Sequence, residues 1–272
     1  MKITWLGTAA AEGVPALFCD CPQCAAARKA GGQEIRTRAG ALIDGCLKLD
    51  FGPDSYIQML RAGLDFHTLE NILITHTHED HFAYWDIQYR LKPYSQLPES
   101  APPLTVWGNA RAGDMLAGFL KPGVLEFRLM EPFQPRQVGG YRVTALEAVH
   151  AREERALFYL IEKDGASILY AHDTDEFTEA DMEFLAGRHI GLISMDCTNG
   201  VLELDYIGHM GLSDNLRMRE KLLKCGAADA RTVFVANHFS HNGVRSIGEM
   251  RALAPAMEIA WDGLTLETPP KG

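Results

Sequence analysis

The chain has 272 residues, nearly half of them apolar, and a formal net charge of -10. That length and composition supply a core for one large domain, residues 1–272, and the acidic balance argues against a nucleic-acid polymer, whose binders carry a basic face. No apolar run approaches the roughly 20 residues that span a bilayer, and the six cysteines are too few for a disulfide scaffold of this size.

The opening run Lys2-Ile3-Thr4-Trp5-Leu6-Gly7 reads as a strand and lacks the charged, apolar, then small-residue pattern of a secretory signal, so a cytoplasmic protein is expected. Gly7 to Pro15 is a small-residue loop that permits close backbone approach and is a candidate wall for an active site. Half of the cysteines follow in Cys19-Asp20-Cys21-Pro22-Gln23-Cys24, a cluster that argues for metal ligation rather than disulfides. A helix over Ala25–Ala30 stops at Gly31-Gly32. Asp44-Gly45 between Ala41-Leu42-Ile43 and Leu47-Lys48-Leu49 signals a hairpin, its second arm ends at Asp50, and a helix is expected from about Ser55 to Ala62.

The densest chemistry comes next, in Ile72-Leu73-Ile74-Thr75-His76-Thr77-His78-Glu79-Asp80-His81. A buried-strand composition runs straight into three histidines and two carboxylates. In extended backbone, residues i and i+2 point the same way, so His76 and His78 can reach one ion together, while Asp80 and His81 turn toward a neighbouring ion. Imidazole and carboxylate without cysteine describe an open catalytic site and admit zinc, manganese, iron or nickel.

The aromatic run from Phe82 to Arg90 suits a helix whose aromatics face the core, and Pro93 to Pro103 suits a surface loop. Strands are expected at Leu104–Trp107 and Leu125–Leu129, with a helix between them capped by Asn109 and running through Leu120. Further strands are read at Tyr141–Val149, Leu157–Glu162, Ser167–Ala171, Leu192–Met195 and Thr232–Ala236, with a helix near Thr178 to Ala186. Two batches of strands with helices make a mixed α/β domain.

His76-x-His78-x-Asp80-His81 resembles the signature of the metallo-β-lactamase superfamily. The resemblance extends in order to His150 after Val143–Val149, Asp173 after Ser167–Ala171 and His238 after Thr232–Ala236. It implies an αββα sandwich of two mixed sheets flanked by helices. It also implies two divalent ions, one held by His76, His78, His150 and Asp173, the other by Asp80, His81, His238 and the shared Asp173. A water between such ions is the expected nucleophile, and Asp50 matches the acidic residue that hydrogen-bonds around the ligand loop.

Structural zinc takes four ligands, and after Cys19, Cys21 and Cys24 the fourth candidate is His241, the second histidine of Ala236-Asn237-His238-Phe239-Ser240-His241. Together with Gly7-Thr8-Ala9-Ala10-Ala11-Glu12-Gly13-Val14-Pro15 and Met195-Asp196-Cys197, this resembles the PhnP-type phosphodiesterases, which open the cyclic phosphate of a phosphorylated ribose. PqqB-type proteins share the small-residue loop and the cysteine cluster. The resemblance implies a small anionic phosphodiester as substrate, with Asp80 and His209 as catalytic residues, His209 facing the substrate at the start of a helix. Carbonyl-ester, thioester or lactam hydrolysis is the alternative for the same ligand set; no membrane partner is expected, and a homodimer is compatible with the chain.

Overall fold

The computed structural model describes residues 1–204 and 207–269; residues 205–206 and 270–272 of the expected single domain lie outside the described residues. Six strands come first: β1 (Lys2–Gly7), β2 (Gly40–Ile43), β3 (Leu47–Leu49), β4 (Asn71–Leu73), β5 (Leu104–Gly108) and β6 (Leu125–Leu129). Seven more follow: β7 (Pro135–Val138), β8 (Tyr141–Glu147), β9 (Leu157–Lys163), β10 (Ala166–Ala171), β11 (Leu192–Asp196), β12 (Val233–Asn237) and β13 (Glu258–Ile259). The last strand, β14 (Thr265–Glu267), returns to pair with β1. The two sheets each hold seven strands, ordered β14-β1-β2-β3-β4-β5-β6 and β13-β12-β11-β10-β9-β8-β7.

Each sheet is antiparallel at one end and parallel at the other, changing over at β3 in the first and at β10 in the second. Parallel strands need crossovers, which six helices supply: α2 (Ser55–Ala62), α3 (Tyr84–Ile87), α4 (Ala110–Leu116), α5 (Glu179–Leu185), α6 (Leu212–Lys224) and α7 (Ile247–Leu253); α1 (Pro22–Ala30) instead lies in the long connection between the antiparallel β1 and β2. Strand alternation sorts the core into layers. Ile168 and Tyr170 of β10 pack with Trp5, Leu49 and Leu73 between the sheets. Leu169 and Ala171 face the other way, with Met218, Leu222 and Met250 of the helices. The outer face of the first sheet is covered by Leu116, Ile87 and Phe82 over Ile72 and Val106. This is the expected αββα sandwich.

Three expectations need correction. β4 ends at Leu73, so His76 and His78 lie on a loop and not on extended strand. The cause is Asp50, whose Oδ1 accepts the Thr75 N–H at 2.8 Å and takes that donor away from the sheet ladder. The aromatics after His81 are not uniformly core: Phe82 is buried, whereas Trp85 and Tyr89 are more than half exposed, because only a single α-helical turn forms there before Gln88–Arg90 tightens to a three-residue-per-turn helix. The helix capped by Asn109 also ends early, at Leu116, and continues to Phe119 in the tighter form. β7, β13, β14 and α7 have no counterpart in the sequence reading.

The exit of β3 lies directly against the loop that bears His76, His78, Asp80 and His81. Phe51 N–H donates to the His81 carbonyl and Ala83 N–H to the Phe51 carbonyl, and a Cβ placed on Gly52 would stand 1.9 Å from the Asp80 carbonyl oxygen. Neither backbone can yield without moving Asp80 and His81. Gly52→Ala should destabilise the fold by about 2 kcal/mol, within the usual range for overpacking, read as a lowered urea midpoint. A midpoint equal to wild type would show that the loop has slack at this contact.

Candidate metal centre

The histidine and aspartate candidates of the catalytic centre stand in the loops that follow the C-terminal ends of β4, β8, β10 and β12, from the two sheets. His76 and His78 follow β4, and His150 follows β8; one nitrogen from each lies within 4.8 Å of the others. His150 Nε2 is 3.1 Å from His78 Nδ1. The outward nitrogens have partners: His150 Nδ1 faces the Gly208 carbonyl at 3.0 Å, His78 Nε2 faces Glu153 Oε1 at 3.2 Å and His76 Nδ1 faces Thr75 Oγ1 at 3.0 Å. Holding one imidazole nitrogen fixes which nitrogen is turned inward.

Asp80, His81, Asp173 and His238 form a second group on the same spacing. His81 Nε2 lies 3.2 Å from Asp80 Oδ2, 2.7 Å from Asp173 Oδ2 and 3.2 Å from His238 Nε2. Asp173 Oδ2 is also 3.2 Å from His76 Nε2 and 4.0 Å from His150 Nε2. One carboxylate therefore faces both groups, as a bridging ligand must. Nitrogens bound tetrahedrally to one zinc at 2.0–2.1 Å stand about 3.3 Å apart, close to the two interimidazole distances found here.

The donor chemistry fits divalent ions on two further grounds. His76 Nε2 and Asp173 Oδ1 are buried and make no well-aligned hydrogen bond, their nearest partners being Asp173 Oδ2 at 3.2 Å and His238 Nδ1 at 2.9 Å, so donor atoms are crowded together with their lone pairs poorly used. The charge balance also asks for cations. Asp50, Asp80, Asp173 and Asp196 are all buried here. Burial disfavours ionised Asp173, yet His238 and His81 hold it well below the ordinary carboxylate range, and His81 and His238 do the same for Asp80. Reciprocally, burial disfavours charged His81, but Asp173, Asp80 and Asp50 raise it well above its ordinary value, and Asp173 leads the groups that lift His238 to about 10. Protons on these imidazoles are the positive charge that bound ions would replace. His150 behaves differently: burial, with His76 and His209 nearby, pushes it down to about 4 despite Asp173, so its imidazole is neutral, the form that can donate a lone pair to a metal.

The backbone around the centre is unusual in the same places. Asp50, Asp173 and His238 adopt φ of 56°, 48° and 62°, a left-handed conformation that side chains other than glycine rarely hold and that clusters at functional sites. Asp50 takes up this turn so that Oδ2 meets His81 Nδ1 at 2.7 Å while Oδ1 receives Thr75. His209 comes in beside the second group, its Nδ1 2.9 Å from Asp196 Oδ2 and 3.6 Å from Asp173 Oδ1. Burial lowers its basicity, but Asp196 outweighs that and raises it.

Cys19, Cys21, Cys24 and His241 form a separate cluster with ligand atoms within 4.8 Å. Cys21 caps α1, accepting from Cys24 N–H at 3.5 Å, and its Sγ lies 3.5 Å from His241 Nδ1. The Cys24 N–H and then His241 bring the Cys21 thiol down to about 6, whereas burial raises Cys24 to about 11. A thiol held protonated beside a thiolate is what a metal reverses, because binding requires the thiolate.

Every residue singled out for the catalytic and cysteine sites is thus brought into one of these groups or against it. Sequence reasoning quoted Asp196 only within Met195-Asp196-Cys197 and gave it no role; it accepts from Asp173 N–H, Thr198 N–H, Met210 N–H and His209. Its signal was positional: it ends β11 beside β10 and β12, which lead to Asp173 and His238. Glu154, which receives Thr77 N–H and Oγ1–H and so pins the loop between His76 and His78, offered no signal, since 77 residues separate the partners. His172, adjacent to Asp173, is not a ligand; it is buried against Ser194 Oγ at 2.8 Å and held neutral by burial.

Residues 46–236 match the family described as the beta-lactamase superfamily domain, and the chain belongs to that family of metallo-β-lactamase-fold hydrolases. Among solved structures it resembles a diphosphatase from the PhnP family with TM-score 0.76 and 22% identity, covering 97% of this chain and 96% of that one. It also resembles zinc-bound PqqB from Methylobacterium extorquens, with TM-score 0.74 and 18% identity over 98% of this chain and 100% of that one. YhfI from Bacillus subtilis, a metallo-β-lactamase-fold protein, gives TM-score 0.72 and 16% identity over 97% and 98% of the two chains. No curated protein matches the sequence. Among the described residues no helix is long and apolar enough to cross a membrane.

Two variants separate the clusters. Asp50→Asn keeps the size of the side chain but removes the charge that orients His81, and should weaken metal binding at the catalytic centre by about 10- to 100-fold, measured by competition with a chromophoric chelator. Cys21→Ser should instead release one zinc equivalent and lower the melting temperature while folded protein keeps some turnover. Unchanged zinc content in Cys21→Ser would reject the cysteine site.

Proposed function

We propose that this protein is a dinuclear metal-dependent phosphodiesterase acting on a small, cyclic phosphodiester, in the manner of PhnP-type enzymes. The observation that carries this reading is His209 beside a bridged pair of ligand groups: its ring is 4.7 Å from that of His150 and 5.9 Å from that of His238, and it lines the same pocket as Asp80 and Asp173. The likeness to a PhnP-family diphosphatase over nearly the whole of both chains supports phosphoryl chemistry. The cysteine cluster closed by His241 supports the same subfamily.

His76, His78, His150 and Asp173 hold one ion in this reading, and Asp80, His81, His238 and Asp173 the other. Two divalent ions, zinc or manganese with iron and nickel also suited to these ligands, supply Lewis-acid stabilisation of phosphoryl charge and a lowered pKa for attacking water. A third ion, zinc, belongs to Cys19, Cys21, Cys24 and His241. The chain's own residues do the rest. Asp50 and Glu154 fix the ligand loop through Thr75, His81 and Thr77, so the donors need no rearrangement on binding. Asp196 orients His209 through Nδ1 and favours its protonated form, which suits it to deliver a proton to a departing alkoxide. The substrate is a small anion, since the acidic surface repels long polyanions.

A panel containing a cyclic sugar phosphate, a thioester and a lactam tests the reaction class; preferential turnover of the thioester or lactam would reject the phosphodiesterase reading. His209→Ala should keep its metal content and lose about 100- to 10,000-fold in kcat on the cyclic sugar phosphate. The loss should be much smaller on a nitrophenyl diester, whose leaving group needs no proton. Equal losses on both would reassign His209 to binding a phosphoryl oxygen.

A further inference from the structure

The pocket over the metal centre, about 310 Å³, has a second wall that carries no metal ligands of the catalytic groups. It is made by Ala10, Ala11 and Glu12 of the small-residue loop and by Ser240 and Asn242. Backbone contacts hold the two segments together: Ala10 N–H donates to the Phe239 carbonyl at 3.0 Å and Phe239 N–H to the Thr8 carbonyl at 2.9 Å.

Glu12 is the charged group of that wall. Its Oε1 accepts from Ser240 Oγ at 2.5 Å, and the Ser240 oxygen in turn accepts from Asn242 N–H and Nδ2–H, each at 3.2 Å. His241 Nε2 stands 3.8 Å from the same Oε1, while its Nδ1 faces the Cys21 sulfur. The Ser240 bond is the side-chain hydrogen bond that Glu12 makes among the described residues, and the carboxylate stays about one-third exposed. An ionised carboxylate only accepts hydrogen bonds, so Glu12 is anchored through one oxygen and offers further acceptor capacity to whatever fills the pocket.

We propose that Glu12 is a specificity-determining residue: it accepts a hydrogen bond from a hydroxyl on the non-phosphoryl part of the substrate and disfavours any second anionic group at that end. The inference rests on the phosphodiesterase reading and narrows it. Because Glu12 lines the same pocket as the catalytic ligands, the alcohol part of a phosphodiester engaged by those ligands would share that space with its carboxylate. A hydroxyl there meets a prepositioned acceptor, whereas a phosphate or carboxylate meets a fixed like charge. Repulsion of this kind is how sites select against near relatives of the substrate. The substrate class is accordingly a cyclic phosphodiester of a polyhydroxy compound with no additional phosphate, rather than a phosphorylated sugar.

The test compares ribose 1,2-cyclic phosphate with its 5-phosphorylated counterpart on the metal-loaded protein, with calorimetric binding of ribose 1-phosphate and ribose 1,5-bisphosphate beside it. Wild type should favour the singly phosphorylated compound of each pair by about tenfold or more, mainly through KM. Glu12→Gln, which can still accept from Ser240, should shrink that preference, and Glu12→Arg should invert it. No preference in wild type, or a preference unchanged in Glu12→Gln, would overturn the proposal; should Glu12→Arg not fold, the Glu12→Gln ratio decides alone. If wild type turns over neither cyclic compound, the phosphodiesterase reading falls, and the two binding ratios still decide the role of Glu12.

Discussion

The centre depends on one buried carboxylate that stands outside the candidate ligand groups. Asp50 leaves β3, turns into left-handed backbone and accepts from Thr75 N–H, Thr75 Oγ1–H and His81 Nδ1. The first of these bonds stops β4 from extending, which frees His76 and His78 to fold back toward His150. The last presents His81 Nε2 to Asp80, Asp173 and His238. A buried carboxylate with no hydrogen bonds would be costly; this one is tolerated because the loop it organises supplies its donors. Sheet pairing and ligand geometry are therefore coupled at a single side chain.

The same balance extends through the pocket. Four carboxylates lie within a few residues of the strand ends and are matched by imidazoles that carry protons when no ion does. Each histidine assigned to a catalytic ion has its other ring nitrogen held, by Thr75, Glu153, Asp50, Gly208 or Thr198. Such fixed orientation keeps donor atoms aimed inward without relying on the ion to gather them. The imidazoles still differ in charge: burial pushes His150 toward neutrality in spite of Asp173, whereas Asp173 and its neighbours outweigh burial at His238 and hold it charged.

How much of this was legible follows from the range of the interactions. The helix at Ser55–Ala62 and the Asp44-Gly45 hairpin are set by local signals, and both stand where the sequence puts them, the helix closed by left-handed Gly63. The ligand residues were legible because their types are rare and each follows an apolar run. The shape of the loop bearing His76 and His78 was not, since Asp50 acts on it from 25 residues away. Glu154 was invisible as a partner for the same reason, standing 77 residues from Thr77. β13 has two residues and β7 opens on a proline, too little pattern for periodicity to register. Trp85 and Tyr89 show the opposite failure, an apolar composition read as core where the backbone turns it outward.

Thiolate and imidazole sites lie side by side here, and their chemistry keeps them distinct. The cysteine cluster offers three sulfurs and one nitrogen in a closed set suited to a tetrahedral ion, and the catalytic groups offer nitrogen and oxygen around an open pocket. They meet at His238-Phe239-Ser240-His241, where one histidine faces each site and the intervening Phe239 is buried and pairs with Ala9. A metal held by the cysteine cluster would therefore fix one end of a four-residue segment whose other end, His238, stands in the second ligand group. That link would give the cluster a role in the geometry of the pocket as well as in the stability of the loop that carries it.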